Sequence, residues 1–159
     1  MKSTYLKTPL GIAKITGDNE GVAEIKIEDQ NIEFQENEDL PDTILQAKSQ
    51  LREYFEKKRK NFDFKLNPKG TQFQQKVWKA LLEIPFGKTS SYMELSKKLG
   101  DPKAIRAVAS ANGKNPLWIV VPCHRVIGSD GSLTGYAGGL HRKKWLLELE
   151  SPSPQQSLF

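Results

Sequence analysis

The sequence predicts an α+β fold in two parts, a small N-terminal α/β domain over 1–66 and a mainly helical domain with a helix-turn-helix over 67–150, followed by a tail at 151–159. Three observations predict it. Short β-rich segments broken by glycine and proline fill the first third. Apolar residues at helical spacing dominate the rest. Between the two patterns, Asn67-Pro68-Lys69-Gly70 reads as a turn or linker.

In the first part, residues 5–8, 12–16 and 22–27 alternate or carry β-branched side chains, punctuated by Pro9, Gly11, Gly17 and Gly21. A helix is expected over about 42–59, where Ile44, Ala47, Leu51, Tyr54 and Phe55 recur at helical spacing. Asp42 is the expected N-cap, and the basic cluster 57–60 suits the negative end of the helix dipole. In the second part, Thr71 is expected to cap a helix carrying Phe73, Val77, Trp78, Leu81 and Leu82, which Pro85 and Gly87 end. Ser91-Tyr92-Met93-Glu94 has the form of a capping box and opens a short helix to Leu99. Gly100 suits the position after that helix, Asp101 caps the next, and Pro102 suits its first turn, with the helix ending near Ala111.

A chain of 159 residues with 37% hydrophobic and 27% charged side chains is globular in composition, not disordered. No apolar run approaches the roughly 20 residues that span a bilayer, and the first residues lack the apolar stretch of a signal peptide. The single cysteine cannot form an internal disulfide, which predicts a reducing, cytoplasmic setting. Cys123, His124 and His141 are too few soft ligands for a structural zinc site, so no metal is expected. Charge is uneven. Residues 1–65 hold 11 Lys/Arg against 13 Asp/Glu, whereas 66–150 hold 13 against 6. A basic half beside a mildly acidic one suits a polyanion on one face, or a lysine-rich solvated surface.

The second helix of the helix-turn-helix is small-sided, with Ala104, Ala107, Ala109, Ser110, Ala111 and Gly113, and Arg106 is its only long basic residue. Readers of the major groove need long side chains at base edges. A small-sided helix fits the narrow minor groove with one side chain as a wedge, or tight packing between helices; both readings stand at this point. The apolar, β-rich run 117–121 then delivers Pro122-Cys123-His124-Arg125, followed by a glycine-rich return over 131–139. An ordinary thiol is only a few per cent ionised at neutral pH, and His124 with Arg125 could supply a base and a positive neighbour. A lone cysteine is more often a small buried apolar residue, but this context favours a reactive one.

Pro122-Cys123-His124-Arg125-Val126 resembles the acceptor-cysteine signature of the O6-alkylguanine-DNA alkyltransferases. The resemblance extends over 73–150, through Lys103-Ala104-Ile105-Arg106-Ala107-Val108, Ala111-Asn112, Asn115-Pro116, Tyr136-Ala137-Gly138-Gly139 and Trp145-Leu146-Leu147. It implies a ribonuclease-H-like N-terminal domain and a winged-helix-like C-terminal one. It further implies a suicide acceptor that needs no cofactor: Cys123 takes an alkyl group from O6 of guanine, or from O4 of thymine, once per molecule. His124 would act through a water as base, Glu150 would orient it, Asn115 would brace the cysteine turn, and Tyr92 would protonate the departing guanine. Carbonyls of Cys123 and Val126 and the amide of Ala137 would read the base in a pocket that includes Trp118 and Tyr136. Arg106 would fill the gap left by the flipped nucleotide, with Ala104, Ala107, Asn112 and Arg125 at the DNA. The implied partner is double-stranded DNA carrying the lesion, bound through its minor groove by a monomer, at the nucleoid.

A cysteine hydrolase using Cys123 and His124 is the rival enzyme reading, weakened because catalytic partners are seldom adjacent in sequence. A non-catalytic lesion binder would lack the cysteine. The tail ends in Gln155-Gln156-Ser157-Leu158-Phe159, which resembles the short peptides that bacterial sliding clamps bind. Gln155, Leu158 and Phe159 would then make the contact; the alternative is that the end folds back or frays.

Overall fold

The structure, a computed structural model, describes residues 1–28, 39–133, 136 and 139–151. The chain divides into two compact units, one of Met1–Lys69 with Pro116–Trp118, the other of Gly70–Asn115 with the chain from Ile119 onward.

In the first unit, β1 (Lys2–Thr8), β2 (Gly11–Asp18) and β3 (Gly21–Glu28) form an antiparallel meander. Thr8 pairs with Gly11 and Asp18 with Gly21, so each connection is a two-residue loop. Gly21 sits at φ +140, and a Cβ there would lie 2.8 Å from the Leu66 carbonyl carbon, so only glycine fits. The strands outrun the β-rich segments because backbone pairing continues past the buried residues, as in Lys2 opposite Gly17. The outer edge of β3 is covered twice. The Val22 amide donates to the Lys65 carbonyl and the Asn67 amide to that of Val22, at 2.9 and 2.8 Å. Farther along, Ile25 donates to Pro116 and accepts from Trp118, at 2.8 and 3.2 Å. A covered edge cannot pair with another chain.

α1 (Asp42–Phe55) lays Ile44, Ala47, Leu51 and Tyr54 on this sheet, all buried. Its ends differ from the sequence reading. Pro41, not Asp42, is the N-cap, and its carbonyl accepts from Ile44 and Leu45; Asp42 lies in the first turn, where the dipole still favours it. The helix stops at Phe55 because Lys57 turns left-handed at φ 62. The Lys58 amide then reaches back to Glu53 at 2.8 Å and that of Lys57 to Tyr54 at 3.1 Å, a Schellman closure. A side chain in this conformation is strained by about 1 kcal/mol or more. Lys57→Gly is therefore expected to stabilise the protein by about 0.5–1 kcal/mol in urea unfolding, net of glycine's entropy. A loss of stability would show that the Lys57 side chain contributes more than its backbone costs.

The second unit contains α2 (Gln72–Leu81), β4 (Ser90–Ser91), α3 (Tyr92–Lys98), a 3-10 turn (Pro102–Ala104), α4 (Ile105–Gly113), β5 (Val126–Ile127) and α5 (Leu140–Glu150). Thr71 caps α2 with both halves of a capping box, exchanging bonds with Gln74. The Trp78 indole N–H donates to the Ala111 carbonyl at 2.9 Å, which fastens α2 to α4. Ser91 caps α3 by accepting from the Glu94 amide. Gly100, at φ +91, closes α3 as Lys57 closes α1: its amide bonds Lys97 and that of Asp101 bonds Ser96. The Asp101 side chain then caps the 3-10 turn at the Lys103 amide, 2.9 Å. One glycine and one aspartate thus make the bend of the helix-turn-helix, and α4 runs two residues past the expected Ala111.

The run 117–121 is buried, as its composition implies, but it is not a strand. Leu117 makes one bridge to Ile25, and Ile119 turns left-handed at φ 71. A β-branched residue there is strained by about 1–3 kcal/mol. Downstream, β4 and β5 pair in parallel, Ser90 with Val126 and Ser91 with Ile127. This short pairing sets Tyr92, first residue of α3, beside the strand that follows Cys123.

Candidate active site

Cys123–Arg125 form a single 3-10 turn, with the Cys123 amide on the Val121 carbonyl at 2.8 Å and that of Arg125 on Pro122 at 3.0 Å. Cys123 is 7% exposed and His124 fully buried. Glu150, the last residue of α5, is 2% exposed and joins the turn's polar side chains. His124 Nε2 lies 2.7 Å from Glu150 Oε2, Arg125 Nε donates to Oε1 at 2.7 Å, and Arg125 Nη2 donates to Oε2 at 3.1 Å. A buried carboxylate persists only when paired in this way.

Burial raises the Glu150 pKa, but the His124 ring and the Arg125 guanidinium outweigh it and hold the carboxyl near 2. Burial, only partly offset by Glu150, lowers the His124 pKa and keeps the ring neutral near pH 7. The permanent counter-charge of Glu150 is therefore Arg125. A neutral ring that gives its Nε2 proton to a carboxylate keeps its lone pair on Nδ1. No described protein group hydrogen-bonds His124 Nδ1. That nitrogen can accept a proton.

Burial pushes the Cys123 thiol above its usual value, while a hydrogen bond from Asn115 and the charge of Lys143 pull it back. Asn115 Nδ2 also donates to the Val121 carbonyl at 2.7 Å, two residues before the sulfur. Lys143, on α5, is fully buried; its Nζ donates to the Val126 carbonyl at 2.6 Å and lies 5.9 Å above the Tyr92 ring. Burial lowers its pKa to about 8 against the opposing pull of the Cys123 charge. Sequence reasoning missed Lys143. The available signal was spacing: Lys143, Leu146, Leu147 and Glu150 share one buried helix face, where a lysine is out of character.

The structure gathers Cys123, His124, Asn115, Tyr92, Val126 and Glu150 within the second unit. Arg106 and Ala107 stand exposed on α4, with Ala104 half-buried at its start. Three other expected residues are buried. The Arg125 guanidinium holds Glu150, donates to the Ile84 carbonyl at 2.6 Å and lies over the Phe86 ring, so its hydrogen bonds are spent inside the protein. Asn112, on α4, is 2% exposed. Trp118 belongs to the core of the first unit, its buried ring 6.1 Å from Phe55, where an apolar ring finds a partner. Tyr136 is half-buried, and Ala137 lies outside the described residues.

Residues 72–152 match the DNA binding domain of 6-O-methylguanine DNA methyltransferase, and residues 1–68 its ribonuclease-like domain. The chain belongs to the 6-O-methylguanine DNA methyltransferase family. A methylated-DNA--protein-cysteine methyltransferase of Methanosarcina acetivorans is 48% identical over 157 residues, covering 94% of this chain and 98% of the relative. The structure of Mycobacterium tuberculosis OGT in complex with DNA superposes with a TM-score of 0.83 at 43% identity, covering 99% of this chain and 98% of that one. An O6-methylguanine DNA methyltransferase from Methanococcus jannaschii gives 0.69 at 26% identity, covering 94% of each chain. The two-domain fold of this family, a small sheet domain and a helical DNA-binding domain, is the fold of this chain. Among the described residues no helix is long and apolar enough to cross a membrane, and no group of three or more His, Cys, Asp or Glu could hold a metal ion.

Proposed function

We propose that this chain repairs DNA by moving an alkyl group from O6 of guanine onto Cys123, once per molecule. The observation that carries this reading is the buried Cys123–His124–Glu150 arrangement in a member of this family. Neutral His124 takes the thiol proton at Nδ1 through a water, and Glu150, held ionised, stabilises the imidazolium that results. The sulfur attacks the alkyl carbon as the carbon–O6 bond breaks. The Tyr92 hydroxyl protonates the departing guanine, and the proton on His124 restores the balance. Asn115 keeps the cysteine turn in place, and the base amine bonds the Cys123 and Val126 carbonyls while the Ala137 amide bonds O6. The thioether is stable, so each molecule acts once.

Ala104 and Ala107 bring α4 close to the minor groove of duplex DNA, and Arg106 enters the stack in place of the flipped nucleotide. The DNA-binding domain runs over 67–150, and one copy of the chain suffices for repair at the nucleoid. Intact-protein mass spectrometry after incubation with methylated-guanine duplex tests the reading: the expected gain is one methylene on Cys123, in stoichiometric amount. Repeated turnover under excess substrate would refute it. Flipping costs a few kcal/mol and only duplex requires it. Arg106→Ala is therefore expected to slow duplex repair by about tenfold or more while reaction with free O6-benzylguanine changes little. Equal losses would place Arg106 in the chemistry.

Gln155, Leu158 and Phe159 lie outside the described residues. We infer from their order alone that they dock on a sliding clamp. Fluorescence polarisation of a 151–159 peptide against a bacterial clamp tests this, and binding that survives Leu158→Ala with Phe159→Ala would exclude it.

A further inference from the structure

We propose that the basic loop after α1, residues 57–65, is a second DNA-binding surface, one that holds the phosphate backbone of the duplex. The proposal goes beyond the alkyl-transfer reading, because phosphate contacts need neither a lesion nor the cysteine.

The first unit is close to neutral as a whole, but its charge is divided. Residues 1–47 hold 4 Lys/Arg against 10 Asp/Glu, whereas residues 48–69 hold 8 against 3. Lys57-Lys58-Arg59-Lys60 stand in a row just past the end of α1. The helix dipole explains little of this. It amounts to about half an elementary charge and acts within the last turn, where Arg52 already stands. Side-chain pairing explains part. Glu53 takes Arg59 at 3.4 Å, Glu56 takes Lys58 at 3.6 Å, and the remaining acid, Asp63, accepts from Gln50. The pair of Lys58 with Glu56 is exposed, and such pairs are worth at most about 1 kcal/mol, so Lys58 is readily given up to a phosphate. Lys57 and Lys65 are exposed and make no ion pair with a described carboxylate.

The loop is also fastened down. The Phe62 ring lies 5.6 Å from that of Tyr54 and 6.0 Å from that of Phe64, and the Asp63 amide donates to the Gln50 side chain at 3.1 Å. Phe64 is buried, while Lys57, Lys58, Lys60 and Lys65 stand exposed. Cations on a fixed support lose less freedom on binding than cations on a frayed end. At the head of the loop Lys57 is left-handed at φ 62, a conformation that glycine would fill at lower cost. Backbone outliers of this kind gather where ligands are held. Fixed cations in excess of their carboxylates match the duplex backbone, which presents about one phosphate charge per 1.7 Å of axis.

Salt titration of duplex binding by the full chain tests the proposal. In a variant carrying Lys57→Gln, Lys58→Gln and Lys65→Gln, the slope of log affinity against log salt is expected to flatten by about two to three. Affinity near physiological salt is expected to fall by about tenfold or more, equally on lesion-bearing and lesion-free duplex, since phosphates carry no sequence. Lys7→Gln with Lys14→Gln and Lys26→Gln removes the same charge from β1, β2 and β3 and is expected to leave the slope unchanged. An unmoved slope in the loop variant would overturn the proposal. So would an equal drop in the strand variant, which would make net charge the cause, or a loss confined to lesion-bearing duplex. Should the loop variant fail to fold, amine acetylation of the wild type decides. Duplex is expected to shield Lys57, Lys58 and Lys65 but not Lys7 or Lys14, and equal labelling with and without duplex would overturn the proposal. Wild-type protein that binds no duplex would sink the repair reading along with the loop, whereas binding with an unmoved slope sinks only the loop.

Discussion

Cys123→Ser protein is expected to bind methylated duplex as tightly as the wild type and to transfer no detectable alkyl group to itself. The hydroxyl is far less acidic than the thiol, and His124, the base proposed for it, is itself a weak one inside this site. Even the thiol needs Asn115 and Lys143 against the penalty of burial. A serine would need far more, and its oxygen is a poorer nucleophile toward a saturated carbon. Affinity has other sources, since phosphate contacts and the exposed face of α4 do not use the sulfur. Fluorescence anisotropy at fixed salt measures the binding, and intact mass measures the transfer. Methyl found on the variant would remove Cys123 from the mechanism.

Glu150→Gln attacks the same site from the far end of α5. It leaves Arg125 buried without its carboxylate, and breaking a buried pair of this kind typically destabilises by about 3–5 kcal/mol. It also removes the anion that stabilises protonated His124, so repair near neutral pH is expected to slow by about tenfold or more. The acid behaviour carries a definite sign. The Glu150 carboxyl titrates near 2 in the folded chain and near 4.3 when unfolded, so its contribution is complete above the unfolded value. As pH falls from there through 2, the contribution disappears. Urea unfolding of both proteins at neutral and acid pH should thus show a gap that narrows toward pH 2. A gap of the same size throughout would mean that the Glu150 charge plays no part in stability.

Much of this site was legible because its chemistry is written in residue type. Cysteine, histidine and arginine in a row suggest a reactive thiol before any fold is known, whereas Glu150, Asn115 and Tyr92 entered only through the family resemblance. The caps Thr71, Ser91 and Asp101 were readable for a similar reason: a short polar side chain before an apolar run has few other uses. What was not legible depended on burial or on backbone geometry. Nothing local distinguishes Arg125, buried against Glu150, from Arg106, exposed on α4. Lys57 and Ile119 adopt conformations their types disfavour, so propensity argued for a longer helix and for a strand where there is none. The family resemblance puts Trp118 in the base pocket, and no local signal in the run 117–121 shows that Trp118 packs with the first unit while Ile119 onward belongs to the second.

The second cover on β3 has a consequence for the order of events at the ribosome. Ile25 is made about ninety residues before the backbone partners it meets at Pro116 and Trp118. At the usual pace of about 5–20 residues per second, that leaves roughly 5–20 seconds in which the strand's outer rim is bare at Ile25. During that window a nascent chain can pair with a neighbour on the same message as readily as with itself. Release of a fragment ending near Lys69 would make the exposure permanent. Such a fragment, though it contains every residue that matches the ribonuclease-like domain, would carry an open rim for as long as it existed.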